Sequence, residues 1–162
     1  MDTRSPLSEV LGFAGWILVA FAAAAVGALA SANAPSFYAA LSKPSWAPPA
    51  SLFGPVWSVL YLLMGIAVWS VWRSAGPKRM AMGLFAAQLA ANALWSWLFF
   101  AWHEGALATV EIVILLILIM ATIVAFSRRS RCGALLLVPY FLWVTFATAL
   151  TFAIWRRNPS LL

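Results

Sequence analysis

Apolar residues in this chain gather into long blocks, and short polar or basic breaks separate them. Five blocks stand out, at about residues 9–31, 54–73, 80–102, 105–126 and 132–155. Each is about twenty residues or longer, which at roughly 1.5 Å per residue crosses the hydrocarbon core of a bilayer. The pattern predicts an all-α integral membrane protein, a bundle of five transmembrane helices forming a single domain over residues 1–162. Residues 1–8 read as a short polar tail. No second domain, internal repeat or low-complexity segment interrupts the blocks, and the lack of repeat symmetry weighs against an inverted-repeat transporter.

The longest break is the informative one. Residues 35–61 contain five of the nine prolines. Pro44, Pro48 and Pro49 fix φ and remove amide donors, so no continuous helix passes through them. Trp46, Leu52 and Phe53 are nevertheless too apolar for a solvated linker. The segment is expected to be an ordered Pro/Trp-rich loop between the first two spans, folded back as a roof on the bundle. Gly54-Pro55 then opens the second span, where a proline costs no hydrogen bond. Residues 74–79 and 127–131 read as turns. The link at His103-Glu104 is so short that the third and fourth spans should be antiparallel neighbours. Pro139 lies inside the fifth block and is expected to kink it, freeing the Leu135 carbonyl.

Composition agrees with a bilayer as the solvent. The chain is 65% hydrophobic and 9% charged, against about half and about a quarter in soluble domains. The first block has no basic segment before it and no small-residue cleavage site, so it reads as a span and not as a signal peptide. The net charge is +6, but the bases sit at block ends and form no single nucleic-acid-binding face. Arg4, Arg73, Lys78, Arg79, Arg128, Arg129 and Arg131 fall on one side of a five-span topology, and Lys43, Arg156 and Arg157 on the other. The positive-inside rule then places the N-terminus in the cytoplasm and the proline loop outside. Cys132 and His103 are each the single residue of their type. Neither a disulfide framework nor the usual metal-ligand cluster is available.

Polar residues within the blocks are costly in lipid and carry the candidate chemistry. Gln88 and Asn92 share a face of the third span, which Trp95 extends. Glu111 lies about one and a half turns into the fourth. Two readings stand for each: interhelical glue, or the wall of a ligand cavity. Gly83, Ala87 and Ala91 form a small-residue series, for packing within the bundle or for a homodimer seam. Trp69, Trp72, Trp102 and Trp155 sit at block ends as interfacial anchors. Trp57 and Tyr61 share a face of the second span. Trp143 and Ala147 share one on the fifth, with Leu150 next along it. Large rings beside an alanine outline either a slot for a planar ligand or ordinary aromatic packing. No nucleophile–base pair, phosphate loop, carboxylate dyad or metal motif is present.

Several longer motifs carry a resemblance. They are Y-A-A-L-S-K-P-S-W-A-P-P (38–49), F-G-P-V-W-S-V-L-Y-L-L-M-G (53–65), Q-L-A-A-N-A-L-W-S (88–96) with Phe99-Phe100, Glu111, and V-P-Y-F-L-W-V-T-F-A-T-A-L (138–150). In order and spacing the chain resembles the TspO/translocator protein family of tryptophan-rich sensory proteins and peripheral-type benzodiazepine receptors, and a bacterial member in its alanine-rich, short-tailed composition. The resemblance implies a five-helix bundle whose pocket opens beneath the first loop. It implies a receptor, sensor or transporter that binds porphyrins such as protoporphyrin IX, with haem and isoquinoline- or benzodiazepine-type drugs as other ligands, and no resident cofactor or metal.

Carried over by position, Trp57 and Trp143 match the family's pocket tryptophans. Bacterial relatives use these in a light- and oxygen-dependent degradation of porphyrin, so they would be the catalytic pair if such chemistry occurs here. Trp46, Asn92, Trp95, Ala147 and Leu150 match pocket or pocket-wall positions, and Tyr61 joins them through its shared face with Trp57. Lys43 would meet a ligand carboxylate or stay solvated. A small proton-coupled drug exporter using Glu111 is the remaining alternative. Thr151 stands where the family commonly has Asn. The C-terminal cholesterol pattern requires a tyrosine where Phe152 stands, so cholesterol is not carried over as a partner. The choice between inner and outer bacterial membrane stays open.

Overall fold

The computed structural model describes residues 5–162, and its regular elements are all helical. They run α1 (Pro6–Ala30), α2 (Ala34–Ala40), a 3-10 turn (Ala50–Leu52), α3 (Phe53–Trp72), α4 (Arg79–Ser96), a π-helical turn (Trp97–Ala101), α5 (Gly105–Ser127), α6 (Arg131–Leu136) and α7 (Val138–Arg157). Five stretches are long and apolar enough to cross a membrane: Pro6–Ala30, Ala50–Trp72, Arg79–Ala101, Gly105–Ser127 and Arg131–Arg157. They coincide with the five blocks. Arg4 and the start of the polar tail lie outside the described residues.

The fifth span differs from the expected kinked helix. The chain ends α6 at Leu136 and restarts as α7 at Val138, with Pro139 in the new first turn. A proline has no amide to give and clashes with the preceding turn. A fresh N-terminus accommodates both defects, and the Leu137 amide closes onto the Ala134 carbonyl at 3.2 Å. The third span also departs from a plain helix, because its last turn is widened into a π-helix at Trp97–Ala101.

Side-chain burial and contacts arrange the spans. α1 packs on α3 and α4, α4 lies against its antiparallel neighbour α5, and α5 packs on α6 and α7. α3 completes the bundle against α6. Met64, Val68, Phe85, Ile112, Leu115, Ile119 and Phe126 fill its middle. Two glycines set the closest approaches. A Cβ on Gly65 would come within 3.0 Å of the Ile17 Cα, and one on Gly133 within 2.9 Å of the Ala67 carbonyl oxygen. In lipid such contact matters more than apolarity, since hydrocarbon attracts a leucine as well as another leucine does.

The two ends of the bundle are fastened differently. At the basic end Glu9 pairs with Arg73 at 2.7 Å, and the Arg73 guanidinium lies over the Trp69 ring. Lys78 donates to the Trp72 and Ser74 carbonyls, and Ser70 meets Ser130 at 3.1 Å across the two turns.

At the other end the proline segment is tied down. The Tyr38 hydroxyl donates to the Pro48 carbonyl at 2.9 Å. Burial pushes the Tyr38 phenol above its ordinary value, which keeps it a donor. The Lys43 ammonium donates to the carbonyls of Tyr38 and Leu41, closing the end of α2. Asn158, just past α7, clamps the segment from the far end of the chain. It accepts from the Ser42 amide at 2.8 Å and donates to the Ser42 carbonyl at 2.9 Å and the Ile154 carbonyl at 2.7 Å. Replacing Asn158 by Ala should lower stability by about 1–3 kcal/mol, the cost of stranding those backbone groups. Thermal unfolding in detergent and faster hydrogen exchange at the Ser42 amide are the measurements.

Candidate functional site

A cavity of about 600 Å³ lies under the tied-down segment, within the range typical of small-molecule sites. Its roof is Pro35 and Tyr38 of α2, with Ala50 and Phe53 at the start of the next span. α3 sends in Trp57, Ser58 and Tyr61, spaced so that consecutive turns present them to one side. α4 supplies Asn92, Trp95 and Ser96, and α7 supplies Trp143 and Ala147. The α1 wall is built from small residues, Ala24, Ala25, Gly27 and Ala28, with Phe21 below them. Those alanines therefore leave room for a cavity as well as for a neighbouring helix. Gly27 faces Ser96 so closely that a Cβ would sit 3.2 Å from its hydroxyl oxygen.

Of the residues singled out from sequence, Trp57, Tyr61, Asn92, Trp95, Trp143 and Ala147 all line this cavity. Two others do not. Trp46 was expected to face the bundle from the loop, but it is 49% exposed and packs edge-on against Phe146. Tyr38 and Phe53 line the cavity in its place. Leu150 is one turn beyond Ala147 and borders a separate space of about 20 Å³ behind Trp95. Lys43 is occupied with backbone carbonyls and does not line the cavity.

The walls are aromatic and mutually braced. Phe53 stands edge-on to Trp143 at 6.0 Å and to Tyr38 at 5.5 Å. Trp57 leans on Tyr61 at 5.7 Å, and Trp95 stacks on Phe99 at 5.4 Å with planes 13° apart. The polar groups are few and oriented. Tyr61 donates to the Asn92 carbonyl oxygen at 2.6 Å, and the Asn92 amide donates to the Tyr140 hydroxyl at 2.9 Å. The indole N–H groups of Trp95 and Trp143 are buried with no hydrogen-bond partner among the described residues. No charged side chain among the described residues lines the cavity. The site can thus hold a flat apolar body by ring contact.

Gln88 and Glu111 lie buried in the bundle, 1% and 8% exposed, and do not line the cavity. Gly83 and Ala87 face outward, while Ala91 packs against the core. Trp102 is the most exposed of the four anchor tryptophans. Sequence reasoning did not single out Phe21 or Asn158, and it named Phe100 and Tyr140 only within matching motifs, with no site role. Tyr140 carried a signal, being a hydroxyl-bearing residue one turn from Trp143 in an otherwise apolar block.

A multi-pass helical membrane protein that encloses an aromatic-walled, uncharged cavity beneath a fastened loop is the class these features define. Residues 16–156 match the TspO/MBR family, and the chain belongs to it. It is 44% identical over 126 residues to the tryptophan-rich protein TspO of Chlorobaculum tepidum, covering 76% of this chain and 80% of the relative. It is 39% identical over 151 residues to protein CrtK of Rhodobacter capsulatus, covering 91% and 93%. The human translocator protein is 38% identical over 126 residues, 75% of each chain.

Asn92 is the joint of the polar wall. Asn92→Ala should destabilise the protein by about 2–4 kcal/mol, because the Tyr61 and Tyr140 hydroxyls both lose a buried partner. The loss of melting temperature in detergent should exceed that of Tyr61→Phe, which removes only one of the two bonds.

Proposed function

We propose that the cavity binds a porphyrin, with protoporphyrin IX as the reference ligand and haem as a second, and that the protein is a membrane receptor or sensor for it in a bacterial cell membrane. The observation that carries this reading is the set of three tryptophans, Trp57, Trp95 and Trp143, around one uncharged cavity. Flat conjugated rings gain most from such walls. The carboxylate edges of a porphyrin would stay at the mouth, since the wall offers no cation. Lys43 is near that end but already donates to three carbonyls, so Arg156 and Arg157 are the free-standing bases on that side among the described residues. The names of the relatives, tryptophan-rich protein and translocator protein, are compatible with a receptor or carrier role. The outward small-residue face at Gly83 and Ala87 is the proposed seam for a second copy.

A second reading has its own support: Trp57 and Trp143, the pair expected to act in porphyrin photodegradation, line the same cavity. Titration of protoporphyrin IX into purified protein, dark and illuminated, separates the two. Saturable quenching of tryptophan fluorescence in the dark is expected. Trp143→Phe, which replaces the indole by a smaller ring, should weaken binding by up to about tenfold through lost ring contact. A new product spectrum under light, lost in Trp57→Phe and Trp143→Phe, would establish turnover. Unchanged porphyrin with clear quenching would leave a receptor, and absence of saturable quenching would overturn both readings.

A further inference from the structure

The contacts between α1 and α3 climb the antiparallel pair at helical intervals and then stop. Near the basic end a Cβ on Gly12 would collide with the Trp72 ring, and one on Gly65 with Ile17. Phe13 stands edge-on to Trp69 at 5.2 Å, and Phe21 meets Tyr61 at 6.2 Å. Continuing the same register sets Ala24, Ala25 and Ala28 of α1 opposite Trp57, Ser58 and Gly54 of α3. All of these residues line the cavity, so empty space lies between the two helices at this level. A Cβ on Gly54 would meet nothing within 4 Å, in contrast to Gly12 and Gly65. The upper part of α1 leans instead on α4, where Gly27 approaches the Ser96 hydroxyl.

The cavity opens on this flank. Its lining residues on α4, the π-helical turn and α7 are buried or half-buried, whereas Phe21, Ala25 and Ala28 of α1 and Gly54 and Ser58 of α3 are exposed. Pro35 and Ala50, the other exposed lining residues, belong to the segments that follow α1 and precede α3. From Phe21 to Ala28 the exposed edge extends about 10 Å along α1. It lies within stretches long and apolar enough to cross a membrane, Pro6–Ala30 and Ala50–Trp72, so the opening faces the bilayer. Its rim is apolar. No charged residue occurs from Leu11 to Ala30 or from Phe53 to Trp72. The Ser58 hydroxyl donates to the Gly54 carbonyl at 2.9 Å and the Ser31 hydroxyl to the Gly27 carbonyl at 3.0 Å, so both are satisfied on their own helix.

We propose that the cavity is loaded from the bilayer, through the opening between α1 and α3 whose rim is Ala25, Ala28, Gly54 and Ser58, while the roof stays fastened. The inference rests on the reading that the cavity takes an apolar planar ligand, and it narrows that class to compounds that dissolve in the membrane first. A flat molecule lying among acyl chains crosses an apolar rim without stripping water from either surface. Entry from above would require the Tyr38–Pro48 and Asn158–Ser42 hydrogen bonds to break. The small rim residues set the width of the passage, so the thickness of a ring system decides what enters.

The test uses the whole protein in phosphatidylcholine proteoliposomes, with protoporphyrin IX dimethyl ester as a membrane-soluble probe. Association is followed by stopped-flow tryptophan quenching, and dissociation by dilution of loaded proteoliposomes into protein-free vesicles. Gly54→Leu adds a side chain where the structure has open space, and so narrows the passage without displacing packed atoms. Association and dissociation should both slow, by about tenfold. A leucine that merely removed contacts to the bound probe would speed dissociation, so the sign of that change separates a blocked passage from a damaged site. Ala28→Leu should act in the same direction from the facing rim. Asn158→Ala, which unfastens the roof, should leave both rates at their wild-type values.

Wild-type rates in both rim variants, or faster dissociation in them, would overturn the route through the side. Acceleration of both rates in Asn158→Ala would place entry at the roof and overturn it as well. If the ester gives no saturable quenching of the wild type at equilibrium, the porphyrin reading falls and the route falls with it. Saturable binding whose rates ignore the rim removes the route alone. Should Gly54→Leu not fold, Ala28→Leu and the comparison with Asn158→Ala decide the outcome.

Discussion

Hydrocarbon gives an apolar side chain no reason to turn inward. That single constraint shapes the whole molecule, because a bundle in lipid must hold together by close backbone contact and a few well-placed polar bonds. The glycines at 65 and 133 supply the contact, each at a point where a methyl group would collide with the neighbouring helix. Asn92 supplies the central polar bonds, joining α3 to α7 through α4 by way of two tyrosine hydroxyls. The same constraint explains how a cavity of about 600 Å³ is sustained in a small bundle. Its walls are braced by aromatic edge contacts, and its roof is fastened by hydrogen bonds to backbone, which hydrocarbon does not compete for.

The cavity and the buried acid are two answers to one question, what a small membrane bundle does with space that apolar packing leaves over. On one side of Asn92 the space is open and lined by rings. On the other, Gln88 and Glu111 occupy it with polar atoms that have no partner among the described residues.

Much of this was legible in the sequence, and the reasons are physical. Helical spans are continuous and apolar because lipid leaves the backbone no other way to satisfy itself, so the five blocks translated directly into five spans. Helical spacing put Trp57 with Tyr61, and Trp143 with Ala147, on the faces they occupy in the cavity. What spacing does not encode is the path of an irregular segment. Trp46 was carried to the pocket by the resemblance, yet it packs half-exposed on Phe146 while Tyr38 and Phe53 line the cavity. Pro139 announced a disturbance, but whether a proline bends a helix or restarts it depends on the caps available on either side. Asn158 gave no warning at all, because its partner, Ser42, lies 116 positions away in sequence.

That separation bears on how the molecule is made. The roof segment leaves the ribosome after the first helix, long before the residue that fastens it. Until Asn158 emerges and reaches Ser42, the Ser42 amide and carbonyl have no such clamp, and the wall holding Trp143 and Ala147 has only just been inserted. The site is therefore incomplete until the fifth span and Asn158 have been made, and a nascent chain that has already threaded four spans is still an empty frame. Truncation just before Asn158 would leave every span in place and remove the side chain that hydrogen-bonds Ser42 of the roof.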